Sequence, residues 1–178
     1  MGQLWTAARC SLAELGDELP GSTLQVACIH GDLTNRLCSR AGSGGGAIDV
    51  VDIQPIQLRN LSRKLPRHSP ARLLAMDSTD LRLPDASYDR ALVFFLLHEQ
   101  PASERTIREL FRVVKLEGKI LIVDYAKPRW WNPLRYLWCP LPAVLERGRP
   151  PIICPAANPT PTRESFFGGL YQKLVITR

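Results

Sequence analysis

The sequence has no run of about 18 apolar residues, the length a helix needs to cross a bilayer, so no spanning helix is expected. Its start shows no basic stretch leading into an apolar one, and no secretion is expected. The cysteines (Cys10, Cys28, Cys38, Cys139 and Cys154) are scattered and form no C-x-x-C pair. That spacing argues against a zinc knuckle and a disulfide framework alike, and a reducing compartment is the simpler reading. Glycine is scarce at one telling place. The stretch "LQVACIHGDLT", Leu24 to Thr34, reads as a strand, a turn and a helix start. Nucleotide-type cofactors bind at such a junction, usually over two or three glycines, and here only Gly31 is present.

What remains describes an ordinary folded domain. The 178 residues are 45% apolar and 22% charged, enough for one domain, 1–178, with its own core. The net charge of +6 suits nucleic acid, an anionic membrane surface or an anionic ligand. Nucleic acid is the weakest of the three, because the basic residues are spread over several helices and form no single patch.

Leu12, Leu15 and Leu19 mark one face of a helix from Leu4 to Leu19, stopped by Pro20-Gly21. "TLQVACI" is a first strand, "DLTNRLCSRA" a helix, and "GSGGG" a flexible connection, since it follows a helix and so is badly placed to cradle phosphate. "AIDVVDI" is a second strand and "QPIQLRNLSRKL" an amphipathic helix, with Ile56, Leu58, Leu61 and Leu65 inward. "ARLLAMD", "ALVFFLLHE" and "GKILIVDY" are three more strands, with "ASERTIRELFRVVK" a helix between the last two. The apolar fourth run is the pattern of a strand covered on both faces. The expected class is α/β, a mainly parallel sheet with helices on both faces. "LYQKLVIT" is expected to add an antiparallel C-terminal edge strand. Between them, 126–164 reads as a proline- and aromatic-rich insertion or lid.

Ligands of such sheets bind at the carboxyl ends of the strands. Asp52, Asp77 and Asp124 fall there, as do Cys28 to Asp32. Asp52, about twenty residues past Gly31, suits a carboxylate that accepts from ribose hydroxyls; the plainer reading is a helix cap. Asp77 with Ser78 can read an adenine ring, or form a capped turn. His98 and Glu99, where the fourth strand meets its loop, can move a proton or hold a metal, or can simply pack. His30 and Asp32 are cofactor-loop candidates set against ordinary turn chemistry. Arg129 to Trp138 mixes tryptophan, tyrosine and arginine, which suits a membrane interface or a lid over a lipophilic ring as well as packing.

"LPDASYD", "LLHE" and "VVKLEGKILIVD" resemble class I S-adenosylmethionine-dependent methyltransferases, with Leu116-Glu117-Gly118 in place of a glycine-pair turn. More narrowly, "QPIQLRNLSRKLP", "FFLLHEQP", "VDYAKPRWWNPLRYL" and "FFGGLYQK" resemble rhodoquinone biosynthesis methyltransferase-like proteins. The resemblance implies a Rossmann-like fold, S-adenosylmethionine and conversion of ubiquinone to rhodoquinone, a ring methoxy giving way to an amino group. It also implies a divalent metal, manganese, and a peripheral membrane position, on the cytoplasmic face in a bacterium or the matrix side in a mitochondrion. By position it implies cofactor contacts from Ala27, Cys28, His30, Gly31, Asp32, Asp52, Ile53, Asp77, Ser78, Phe94 and Phe95. His30, His98, Glu99 and Asp124 are the expected catalytic cluster, with metal ligands unassigned. His30 stands where that family is expected to carry tyrosine.

Overall fold

The computed structural model describes residues 12, 15–28, 32–97, 100, 102–125, 162–166 and 171–178. His30, Gly31, His98, Glu99 and the aromatic segment 126–161 lie outside the described residues, as does most of the expected first helix. The elements run β1 (Ser22–Val26), α1 (Leu33–Ser43), β2 (Ala47–Asp52), α2 (Pro55–Ser62), β3 (Ala71–Ala75), β4 (Tyr88–Phe94), α3 (Ser103–Val113), β5 (Val114–Tyr125), β6 (Thr162–Phe166) and β7 (Tyr171–Thr177).

They build a seven-stranded sheet in the order β3-β2-β1-β4-β5-β7-β6. The first five strands pair in parallel and β7 returns antiparallel between β5 and β6. Alternate residues feed two cores. Leu24, Val26, Ala91, Val93, Ile120 and Ile122 pack with Ile107, Leu110 and Val113 of α3. Ile48, Val50, Leu92, Phe94, Leu121 and Val123 pack with Leu33, Leu37 and Ala41 of α1. Both faces of the central strands are therefore dry, which is why their sequences read as continuous apolar runs.

Four details depart from the pattern-based expectation. The antiparallel C-terminal strand is present but is not at the edge: β6, which straddles the end of the expected lid, pairs on its outer side. Ile56 of α2 is 49% exposed, whereas Leu58 and Leu61 are buried; one helical stripe cannot hold 56 and 58 together. Strand β4 ends at Phe94, because Phe95 takes a left-handed φ of 53° and breaks the ladder. Strand β5 begins at Val114, which pairs with Tyr88; the register then slips, so Leu116-Glu117-Gly118 forms an irregularity inside the strand.

The "GSGGG" stretch is a built helix end and not a loose connection. Gly45 adopts a left-handed φ of 65° and its N–H reaches the Gly42 carbonyl, while the Gly46 N–H reaches back to the Ala41 carbonyl at 2.8 Å. This is the two-bond pattern that closes a helix over a left-handed residue. Gly46 then lies flat against the chain entering β1, where a Cβ would overlap the Leu19 carbonyl oxygen and stand 2.7 Å from that of Gly21.

The opposite end of the sheet from the cofactor side is tied by ion pairs. Asp89 accepts from Lys115 Nζ at 2.8 Å and from the Ser22 N–H at 2.7 Å, and these donors hold its carboxyl below the usual carboxylate range. Glu109, paired with Arg112 and accepting from the Leu81 N–H, is lowered in the same sense. Both groups bind a proton more weakly when folded than when unfolded. Their contribution is complete above the unfolded values of about 4 and is lost as pH falls through the lower folded values. The urea midpoint is expected to fall on acidification below about pH 5. An Asp89→Asn, Glu109→Gln double variant should show a shallower fall. A parallel pair of curves would remove these two groups as the cause.

Candidate functional site

Strands β1 and β4 are neighbours in the sheet, yet the chain leaves them in opposite directions, to β2 on one side and β5 on the other. Such a switch point opens a crevice at the carboxyl ends of the strands. Both strands end there on a non-glycine residue in left-handed backbone, Ala27 at φ 74° and Phe95 at 53°. Each still donates one ladder-like bond, Ala27 N–H to Val51 O at 2.9 Å and Phe95 N–H to Val123 O at 2.7 Å. Holding such residues there costs about 1–3 kcal/mol each, and strain of this kind collects at sites that bind.

Asp52 is the hinge of the site. Its Oδ2 accepts from the Cys28 N–H and its Oδ1 from the Gln54 N–H, both at 2.8 Å. A carboxylate offers about four lone-pair positions; the two amides take two and the Cys28 thiol also bonds to it, which still leaves acceptor capacity for a ligand. The carboxylate thus fixes the β1 exit against the β2 exit without being used up. Cys28 feels the arrangement: burial first, then the Asp52 charge, push its thiol up to about 12. A thiol so held is protonated at neutral pH and is no nucleophile.

The other expected residues divide. Ile53, beside Asp52, is 64% exposed and offers an apolar surface. Asp77 forms the capped turn, its Oδ1 accepting from the Thr79 N–H and hydroxyl at 2.8 and 2.9 Å, with Oδ2 unpartnered among the described residues. Ser78 is buried and its hydroxyl is engaged with Thr106 and Gln100. Asp32 sits at the α1 N-cap position but makes no side-chain bond to the helix amides. Phe94 is fully buried in the core, while Phe95 is only partly buried. Asp124 is 1% exposed and its Oδ1 accepts from the Tyr125 N–H at 2.7 Å, which orients the β5 exit.

Three further features bring in residues that were not expected at the site. Gln25 is fully buried in β1; its Nε2 donates to the Ala27 carbonyl and to Thr34 Oγ1, and its Oε1 has no partner among the described residues. A polar residue amid the apolar "TLQVACI" was the signal. Phe95, Tyr125 and Tyr171 form an aromatic trio at the exits of β4 and β5, with ring centroids 5.3–5.9 Å apart. The third feature is the hydrogen-bond ring of Ser78, Gln100 and Thr106.

The site fits the adenosyl cofactor on these observations. Asp52 keeps acceptor capacity, the α1 N-terminus has no side-chain cap, and Gln25 Oε1 is an orphaned acceptor beneath the β1 turn. Metal is different: among the described residues no group of three or more His, Cys, Asp or Glu could hold an ion. The manganese implied by the resemblance finds no ligand set there.

A model of the ubiE/COQ5 methyltransferase family matches residues 2–135, three quarters of the sequence. The chain belongs to that family. Its members similar to this one include the ubiquinone/menaquinone biosynthesis C-methyltransferase UbiE of Cupriavidus taiwanensis, 28% identical over 75% of this chain and 54% of that protein. The demethylmenaquinone methyltransferase of Lactobacillus johnsonii is 28% identical over 62% of this chain and 46% of its own length. The chain thus spans about half the length of these ubiE/COQ5 relatives. A SAM-dependent methyltransferase from Aquifex aeolicus superposes with a TM-score of 0.65 at 18% identity, covering 95% of this chain and 88% of that one. At that identity it shows the fold: the Rossmann-like methyltransferase sheet. Among the described residues no helix is long and apolar enough to cross a membrane.

Proposed function

We propose that the chain binds S-adenosylmethionine over the exits of β1, β2 and β3 and modifies a quinone ring at the exits of β4 and β5. The observation that carries this is Asp52, fixed by two amides at the switch point with acceptor capacity left for ribose. Ile53 and Ile56 give the adenine an apolar face, and Asp77 an acceptor for its amino group. Gln25 Oε1 and the α1 amides suit the ammonium and carboxylate of the amino-acid end. The Phe95, Tyr125 and Tyr171 rings suit a flat aromatic-like substrate, which favours offset or edge contact with such rings. A lipophilic quinone would be met at a membrane surface, cytoplasmic in a bacterium or matrix-facing in a mitochondrion.

The bound cofactor supplies the transferred group, either its methyl or its amino nitrogen. We assign the amino nitrogen: its bond to the methionine α-carbon would break with loss of a neighbouring proton, leaving an alkene, and the ring methoxy would leave as methanol, so that ubiquinone would give rhodoquinone. Support comes from the β1 turn, which has Gly31 as its one glycine and carries Ala27 in left-handed backbone, so the methionine end meets a stiffer loop than a glycine-rich one. The second reading is C-methylation, favoured by the names of the curated relatives. The purified protein with S-adenosylmethionine, with and without manganese, is given ubiquinone in one assay and a demethylated quinone with a free ring carbon in another, and mass spectrometry of the quinones decides. Amino for methoxy lowers the mass of ubiquinone; an added methyl raises that of the demethylated quinone. Both quinones unchanged sinks both readings.

A further inference from the structure

Three side chains between the two halves of the site close a hydrogen-bond ring. Gln100 Nε2 donates to Ser78 Oγ at 2.7 Å and Thr106 Oγ1 donates to Gln100 Oε1 at 2.7 Å, with Ser78 Oγ and Thr106 Oγ1 3.3 Å apart. The Thr106 proton is committed to Gln100, so Ser78 is the donor in the third contact. The ring therefore runs in one sense, from Gln100 to Ser78 to Thr106 and back. Thr106 is fully buried and Ser78 nearly so. A buried hydroxyl left unpaired is costly and ring members polarise one another, so the three tend to hold or fail together.

The members come from three places. Ser78 follows Asp77 in the β3 exit, Thr106 lies in the first turns of α3, and Gln100 closes the β4 exit, its N–H donating to the Leu97 carbonyl at 3.3 Å. In sequence Gln100 directly follows His98-Glu99. The adenine side and the ring-modifying side are thus joined through side chains.

We propose that this ring is a positioning device that couples cofactor binding to quinone binding, with Gln100 and Thr106 as positioning residues. The inference rests on the cofactor reading above. A ligand that fixes the Asp77–Thr79 turn fixes Ser78, and through Gln100 the β4 exit. The second ligand then meets an exit already ordered. Coupling of this kind is reciprocal and typically about 5- to 150-fold.

The test is Thr106→Val, nearly the same shape without the hydroxyl, beside Thr106→Ser, which keeps it. Calorimetry would measure the affinity for S-adenosylmethionine alone, for a short-chain ubiquinone alone, and for each with the other saturating. Wild type and Thr106→Ser should show mutual tightening within the about 5- to 150-fold range, and Thr106→Val should bring it close to onefold while each ligand alone still binds. Gln100→Leu serves as a second break in the ring if Thr106→Val does not fold, with the same loss expected. Coupling that persists in the folded ring-broken variant overturns the inference. So does a loss of both single-ligand affinities in step with thermal stability, which a merely structural role would give. A wild type that binds no S-adenosylmethionine overturns the cofactor reading and this inference with it; one that binds both ligands without mutual tightening overturns the inference alone.

Discussion

Gly46→Ala is expected to lower the melting temperature by about 6–12 °C, whereas Gly42→Ala, four residues earlier, raises it by about 2–4 °C. The first substitution drives a methyl into the carbonyls of Leu19 and Gly21, which are backbone and cannot swing aside. Overpacking typically costs about 1–3 kcal/mol, and rigid neighbours place this case at the top of that range. Gly42 lies inside α1 on its exposed side, and a Cβ there meets nothing within 4 Å. Alanine there gains the helix propensity that glycine forgoes, about 1 kcal/mol. Thermal unfolding by circular dichroism reads both. Equal small shifts would mean that the α1 end does not pack on the chain entering β1.

Asp52→Asn is expected to weaken S-adenosylmethionine binding by about 10- to 150-fold. That is the worth of one charge-assisted hydrogen bond, about 1.5–3 kcal/mol. The amide keeps the shape but presents N–H to one of the two backbone donors, so the Cys28 turn loosens as well. Calorimetry checks the affinity. The same variant has a ligand-free signature. Asp52 is the second cause, after burial, of the raised Cys28 thiol. Without its charge, Cys28 should react with iodoacetamide at a lower pH than in the wild type. Unchanged affinity together with the altered thiol would leave Asp52 a structural clamp and remove it from the ribose.

Much of this was legible because the sheet is covered on both faces. An apolar run such as "ALVFF" has few other places to go, and a carboxylate after each run marks a strand exit. Asp52 and Asp77 were readable as carboxylates at strand exits, and their hydrogen bonds to the following backbone fit that placement. Residues whose role depends on distant partners were not. Nothing local says that Gly46 meets Leu19, or that Gln100 and Thr106 close a ring with Ser78. Ile56 was misplaced because an apolar residue in the first turn of α2 faces outward at the strand exits, beside Ile53, where exposed apolar surface suits a ligand. A fold limits where chemistry happens without fixing which chemistry it is.

The strand order also dictates a timetable during synthesis. Strand β1 takes β2 on one side from residues close behind it, but its other partner is β4, and Thr23 waits for Arg90. Until the ribosome has released β4, the apolar edge of β1 stands open, and an open edge is a template for any other nascent strand. The Leu19–Gly21 crossing under Gly46 forms from residues made early. It pins one flank of β1 during that interval, so a glycine at a helix end guards the chain while it is still incomplete.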